Sequence, residues 1–471
     1  MFGGKLSKKP RVALTGLLAF LIFFGGACRI APQEAQRASK PLTLKYWRVF
    51  DDSDSFDDVI AAYRALHPHV QVEYRKLRPE EYERELLNAL AEDRGPDIFS
   101  VHNTWMRGYQ SKLLPLPPQT TVATREIQGA IKKEEVTVLR TKPSLTLRQL
   151  RNDFVDTVYA DAVIPTPDEK KPEEVTDRVY GLPLFVDSLV LYYNRDLLNA
   201  AKIPQPPQTW SEFQQAVKRL TRLDNRGAIL QAGAAIGSGR NVERAFDILS
   251  LLMMQNGAKM TDESGFAAFH TLPRELAGRP DLPGEGALIF YTDFANPGKD
   301  VYTWNGLMPS SFEAFVAGKS AMFLGYSYHL PLIRARAPKL NLGIAPAPQI
   351  EGNPEINFAN YWIESVSRKT KNPNEAWDFV QFLAGAEQVK KYLDKARRPT
   401  ALRALISGQL EDEDLAPFAN QTLTAQSWYR GKDAGSAEKA FIDMIESTIS
   451  GALPAREALR FTAEKVNQTI R

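Results

Sequence analysis

The chain has 471 residues, 44% hydrophobic and 24% charged, an ordinary globular composition long enough for two or three domains with cores of their own. Its formal charge is +3, but Lys5, Lys8, Lys9 and Arg11 supply four positive charges at the extreme N-terminus, and the remainder stands near −1. That balance excludes an electrostatic nucleic-acid partner, and the single cysteine, Cys28, excludes an internal disulfide.

The N-terminus reads as a targeting signal. Residues 5–11 are basic, and residues 12–24 form an apolar run of signal-core length, short for a stable membrane span. Gly25, Gly26 and Ala27 are small residues placed for cleavage of a signal peptide at 1–27, with Cys28 next. A lone cysteine there resembles a lipobox, in which Cys28 is the acylated residue; Gly25 stands where that pattern has leucine. Ordinary cleavage before Cys28 and an uncleaved anchor are the alternative readings. Several acyl chains on one residue anchor stably, because each buried methylene adds ~0.8 kcal/mol. Residues 28–41 are polar and read as a flexible tether.

From Leu42 the pattern alternates strand and helix. Residues 42–47 alternate like a strand, and Phe56, Val59, Ile60 and Tyr63 share a helical face behind Ser53 to Ser55. Val70, Val72 and Tyr74 alternate again, Tyr82, Leu86 and Leu90 mark a second helix stopped by Gly95-Pro96, and residues 97–101 form a third strand. This βαβαβ order predicts a parallel sheet covered by helices, with ligand sites beyond the carboxyl ends of its strands. Residues 117–142 read as a surface insertion with no assigned function, and residues 145–163 as helical. Further on, Thr209-Trp210-Ser211-Glu212 and Ser310-Ser311-Phe312-Glu313 have capping-box spacing. Residues 245–254 predict a buried helix, residues 321–324 and 360–367 strands, and residues 374–383 an amphipathic helix with Trp377, Val380 and Leu383 inward.

The run from Val179 to Leu198 holds a turn at Gly181, an apolar strand, a polar break at Asp187-Ser188 and a second strand ending in Tyr192-Tyr193-Asn194. It resembles the domain-crossing segment of extracellular solute-binding proteins of family 1, the sugar-binding lipoproteins of ABC importers that are similar to maltose-binding protein. Five further blocks resemble the same family in order: the segment from Tyr74 to Pro117, Pro206-Pro207-Gln208-Thr209-Trp210-Ser211-Glu212-Phe213, the segment from Phe312 to Met322, Asn372-Pro373-Asn374-Glu375-Ala376-Trp377-Asp378-Phe379, and Arg397-Arg398-Pro399-Thr400, with Arg397 in place of a glycine. The resemblance implies an α/β fold of two hinge-linked lobes, the type II periplasmic-binding-protein-like arrangement, with a ligand cleft between them. Carried over, the first lobe is 42–186 plus 362–398 and the second 187–358 plus 400–471. It also implies capture of a carbohydrate by hinge closure and delivery to an ABC permease, by a monomer lipid-anchored on the outer face of the cytoplasmic membrane.

A site for sugars needs aromatic platforms for C–H faces and charged or amide groups for hydroxyls. The resemblance brings Trp47, Asp51 and Asp52, His102, Asn103 and Trp105, Phe185 and Asp187, Trp304 and Asn305, Tyr326, Tyr361 and Trp362, and Arg398 to that cleft. Of these the expected ligand contacts are Trp47, Asp52, His102, Trp105, Asp187, Trp304, Tyr326, Trp362 and Arg398. Trp47 reads equally as a strand core residue, Asp51 and Asp52 stand where a helix cap is needed, and Trp210 and Trp377 read as core.

Catalysis, cofactor and metal have little in the sequence to carry them. The histidines are scattered, His67-Pro68-His69 lacks a second ligand pair, and no H-E-x-x-H, G-x-S-x-G or P-loop is present. The expectation is a binding protein and not an enzyme. The competing readings are a surface-anchored glycoside hydrolase, which paired carboxylates beside aromatics would serve, a receptor for a polyamine, peptide or other polar metabolite, and a signalling receptor that reports to a sensor kinase.

Overall fold

In the strand Leu42–Val49 only Thr43 and Lys45 lie open to solvent, and every residue of Ile98–His102 is buried, the pattern of strands covered on both faces. These strands belong to a computed structural model that describes residues 1, 33–130, 132–168 and 170–470; residues 2–27 of the expected signal peptide, its cleavage site and Cys28 lie outside the described residues. Leu42–Val49 pairs in parallel with both Val70–Leu77 and Ile98–His102, and helices Asp54–Leu66 and Pro79–Ala91 connect them, as the βαβαβ pattern predicts. Trp362–Ser367 adds antiparallel to Ile98–His102, so the chain returns to this sheet after a long excursion. The helix caps differ from expectation: Ser53 makes no side-chain cap bond, and Asp54 and Asp57 face the positive end of the helix instead.

A second, antiparallel sheet runs Met322–Gly325, Val190–Asn194, Leu342–Pro346. Around it pack the helices Trp210–Leu220, Ala245–Gln255, Pro283–Asp293, Ala434–Ile449 and Ala455–Ile470. The first capping box forms in full, with Thr209 Oγ1 accepting from Glu212 N and the Glu212 carboxylate accepting from Thr209 N. The second forms by half: Ser310 Oγ accepts from Glu313 N, while the Glu313 carboxylate is drawn to Arg336. That helix, Ser311–Val316, ends before Gly318, whose φ of +69° is the left-handed exit that glycine takes without a Cβ penalty.

Two large apolar cores correspond to the two sheets. One gathers Tyr46, Phe99, Val186, Ile363 and Trp377, the other Leu189, Phe246, Trp304, Phe358 and Phe441. The cores change over between Val186 and Leu189 and between Phe358 and Ala359. At those points Asp187–Ser188, Asn357–Asn360 and Ala425–Gln426 form a small sheet of their own, joining the lobes. Ala401, Leu402 and Ile406 pack in the first core, although the sequence reading assigns 400–471 to the second lobe; Phe154 bridges to Leu402 and holds this stretch back.

One further expectation changes. Within the expected tether, Gln33–Ala38 is a helix with Ala35 buried, set against the hairpin Gln119–Gln128/Glu134–Pro143, so these residues are anchored rather than loose. The hairpin is the surface insertion of residues 117–142. It is tied down by Asn374 Oδ1, which accepts from Thr121 N at 3.1 Å, and by His67 Nδ1 against Ala123 O at 2.8 Å.

Candidate binding cleft

A cavity of about 540 Å³ opens where the lobes meet, within the size range of small-molecule sites. The first lobe contributes Phe50, His102 and Trp105 at or just beyond the carboxyl ends of strands, Tyr109 at the end of the short helix Met106–Tyr109, and Trp362 at the start of the antiparallel return strand. The second contributes Arg244, Tyr328 and Glu438, and the crossing segments contribute Phe185, Asp187, Asn360 and Arg398. A larger cavity of about 720 Å³ lies under Trp210 and Phe290 on the second lobe, away from the crossings, and holds none of the expected ligand contacts.

The aromatic wall is one connected set. The Trp105 and Trp362 rings meet edge to face at 5.3 Å and 81°, Trp105 stacks on Tyr109, and His102 packs against Trp362 at 5.2 Å. Edge-to-face contact fixes ring orientation and leaves faces free for a ligand. Three of the non-glycine residues with positive φ cluster here: Phe50 (+71°) and Arg244 (+59°) line the cavity, and Arg397 (+54°) precedes Arg398. Such backbones cost free energy and persist where surrounding contacts over-determine them.

The polar floor is charged and ordered. The Asp187 carboxylate accepts from Ser188 N, Ser327 N and Ser327 Oγ, the last at 2.6 Å. Burial nevertheless pushes it up to about 6, with Ser327 and Arg398 opposing. Arg398 donates through Nη2 to Asp51 Oδ1 (3.1 Å) and through Nη1 to Ser327 Oγ (3.3 Å), and so ties the lobes together. Its Nε is buried with no hydrogen-bond partner among the described residues, a donor left over at the cavity. Burial, with Arg244 adding, lowers His102 to about 4, so the ring is neutral at pH 7. It then donates from Nε2 to Asn360 Oδ1 at 3.1 Å and accepts at Nδ1 from Thr104 Oγ1 at 2.7 Å. Asn360 passes the chain on to Asp247, which holds Arg244 through two bonds of 2.8 Å.

Of the expected contacts, His102, Trp105, Asp187, Trp362 and Arg398 come together on this cavity. Four do not. Trp47 is a sheet residue, 7% exposed, under the Arg75 guanidinium at 4.6 Å. Asp52 faces solvent and pairs with Lys76. Trp304 is fully buried in the second core, where its Nε1 donates to Asn241. Tyr326 is fully buried behind Tyr328, its hydroxyl donating to Asp247 at 2.5 Å. The reading in turn missed Phe50, Tyr109, Arg244, Tyr328, Asn360 and Glu438.

The lobes approach closely at Gly108. A Cβ there would sit 2.6 Å from the carbonyl oxygen of Lys432 on the opposite lobe. Gly108→Ala is therefore expected to force the walls apart at a cost of about 1–3 kcal/mol, the usual range for overpacking. Small-angle scattering would register this as an increased radius of gyration with the circular dichroism unchanged.

The profile of the family described as bacterial extracellular solute-binding protein matches residues 50–390. The chain is similar to the multiple sugar-binding protein of Streptococcus mutans, 25% identical over 53% of this chain and 57% of that one. It is similar to the galactooligosaccharide-binding protein of Bacillus subtilis at 21% identity over 99% of this chain and 98% of that protein. In structure it is similar to the cyclic alpha-maltosyl-1,6-maltose binding protein from Arthrobacter globiformis, with a TM-score of 0.67 and 19% identity over 91% of this chain and 99% of that one. The chain spans about half the length of several curated relatives it matches. The shared fold is the two-lobed α/β one expected from the sequence.

Proposed function

The chain belongs to the bacterial extracellular solute-binding proteins, and from that premise we propose that it is a carbohydrate receptor of an ABC importer. A saccharide would enter the open cleft, contact both lobes, favour closure by its greater affinity for the closed form, and be handed to a permease. One observation carries this reading: Trp105 and Trp362 stand edge to face beside a floor of Asp187, Asn360 and Arg398. Indole faces suit the C–H faces of a sugar ring, and the floor offers acceptors and a spare guanidinium donor for hydroxyls. His102 would serve by fixing Trp362 and Asn360. The names of similar proteins point to sugars as well.

We further propose that the cleft binds without catalysis. Three donors already fill most of the Asp187 carboxylate and leave it about one acceptor site for a ligand hydroxyl, and Glu438 is held against Arg244 at 3.6 Å, so each is engaged as a fixed acceptor and not as a proton donor to a glycosidic oxygen. The monomer would be held at the outer face of the cytoplasmic membrane through acylated Cys28. Among the described residues no helix is long and apolar enough to cross a membrane.

Titration calorimetry of the mature protein against mono- and oligosaccharides, with chromatography of the mixtures, tests the proposal. Saturable binding without products supports it; turnover, or the absence of binding to any saccharide, overturns it. The pH dependence is a sharper expectation. Asp187 accepts ligand hydroxyls when ionised, so affinity should be full above pH 6 and fall as the pH drops through about 6. Its effect on stability has the opposite sign. The raised value favours the protonated form in the folded state, so this contribution is complete below the ordinary value of 3.8 and is lost as the pH rises through about 6. At ~1.4 kcal/mol per unit the loss is on the order of 3 kcal/mol. Asp187→Asn should flatten both profiles.

A further inference from the structure

We propose that Phe50 and Tyr328 form an aromatic latch across the two lobes, which blocks the cleft at that point and selects short saccharides over long ones; the length selection rests on the carbohydrate reading. Phe50 leaves the first strand of the first lobe, and Tyr328 follows the strand Met322–Gly325 of the second. Their rings stack at 5.5 Å with planes 13° apart, and both line the cavity. Two rings in parallel contact across the gap leave no passage between them for a sugar chain.

Each ring is braced from behind. Tyr328 stacks on Tyr326 at 6.0 Å, and Tyr326 is pinned by its bond to Asp247, which Arg244 holds in turn. Phe50 meets Trp362 edge-on at 6.3 Å, and its left-handed backbone, unusual for a bulky residue, commits the side chain to this position. The second tight approach of the lobes, Gly108 against Lys432, lies elsewhere on the same cavity wall, beside Tyr109. The cavity is therefore bounded at two points by contact between the lobes. A monosaccharide or short oligosaccharide sits within it, whereas a longer chain has to part the stacked rings and forfeit their contact.

Calorimetry with length series of linear gluco-, galacto- and manno-oligosaccharides tests this, on the wild type, Phe50→Ala, Tyr328→Ala and the double variant. Phe50→Leu keeps apolar volume without the ring face and stands in if the alanine variant fails to fold. The wild type is expected to lose affinity with length. Each single variant is expected to favour longer members by roughly three- to tenfold relative to the shortest ligand bound, the worth of one aromatic pair, and the double variant to add nothing more. Scattering of the ligand-free variants gives an arm independent of any saccharide, and an increased radius of gyration is expected. Wild-type affinity that rises with length, or variants that shift all lengths alike, overturns the selection. An unchanged radius overturns the latch itself. If no saccharide binds the wild type, the carbohydrate reading and the length selection fall together, and the radius alone decides whether the rings hold the lobes.

Discussion

Replacing Trp362 by alanine is expected to weaken saccharide binding by roughly 30- to 700-fold, the 2–4 kcal/mol of an aromatic anchor at the centre of a site. The ring is the hub of the cleft, touching Phe50, Tyr82, His102 and Trp105. Its loss removes one platform and frees the rings that it orients, so pre-organisation falls together with contact area. Trp362→Phe keeps an apolar ring and should recover most of the affinity. Trp304→Phe provides the opposing case: that indole is buried in the second core, so the variant should lower the melting temperature and leave the dissociation constant within about twofold, the scale of surface-neutral changes. Calorimetry and thermal unfolding on the three variants separate the cleft from the core. Equal losses of affinity at Trp362 and Trp304 would refute the placement of the site.

That contrast marks how far the sequence is legible. The βαβαβ start, the buried helix at Ala245–Gln255 and the amphipathic helix Pro373–Leu383 follow from local periodicity and turn residues, which short segments carry by themselves. The polar break Asp187-Ser188 marks a crossing because a charged residue amid apolar strands needs a partner, and Ser327 supplies it from another segment. Side-chain direction is what the chain order withholds. Trp47 and Phe50 are three residues apart, yet the first turns onto the sheet under Arg75 and the second, through its positive φ, turns into the cleft. Tyr328 and Tyr326 stack as front and back of one column, and only the front ring, Tyr328, reaches the cavity. Such differences arise from tertiary packing, so a candidate aromatic read from its position in the chain is right about the neighbourhood and uncertain by one side chain.

Beneath the cleft lies a buried ion network whose disruption should produce the largest loss of stability. Arg48, 1% exposed, lies 3.2 Å from Glu364 and 3.5 Å from Asp51, and its Nε donates to Ser100. Its guanidinium sits over the rings of Phe56 and Tyr392 at 4.8 and 5.1 Å. Burial opposes its charge, but Glu364 and its neighbours outweigh that and hold Arg48 above its ordinary value, while burial raises Glu364 despite Arg48. Arg48→Met retains most of the volume and leaves the Glu364 carboxylate in the core without its counter-charge, while Asp51 keeps Arg398. Removing one member of a buried pair costs about 3–5 kcal/mol, which chemical denaturation would report as a lower midpoint at similar slope. The double variant Arg48→Met/Glu364→Gln should recover more than half of that loss, because the uncompensated carboxylate goes with its partner. The same experiment reaches the cleft. Asp51, released by Arg48, remains bound to Arg398, so Arg48→Met should tighten that pair and alter saccharide affinity less than it alters stability; a large loss of affinity at unchanged stability would show that Arg48 serves the ligand and not the fold.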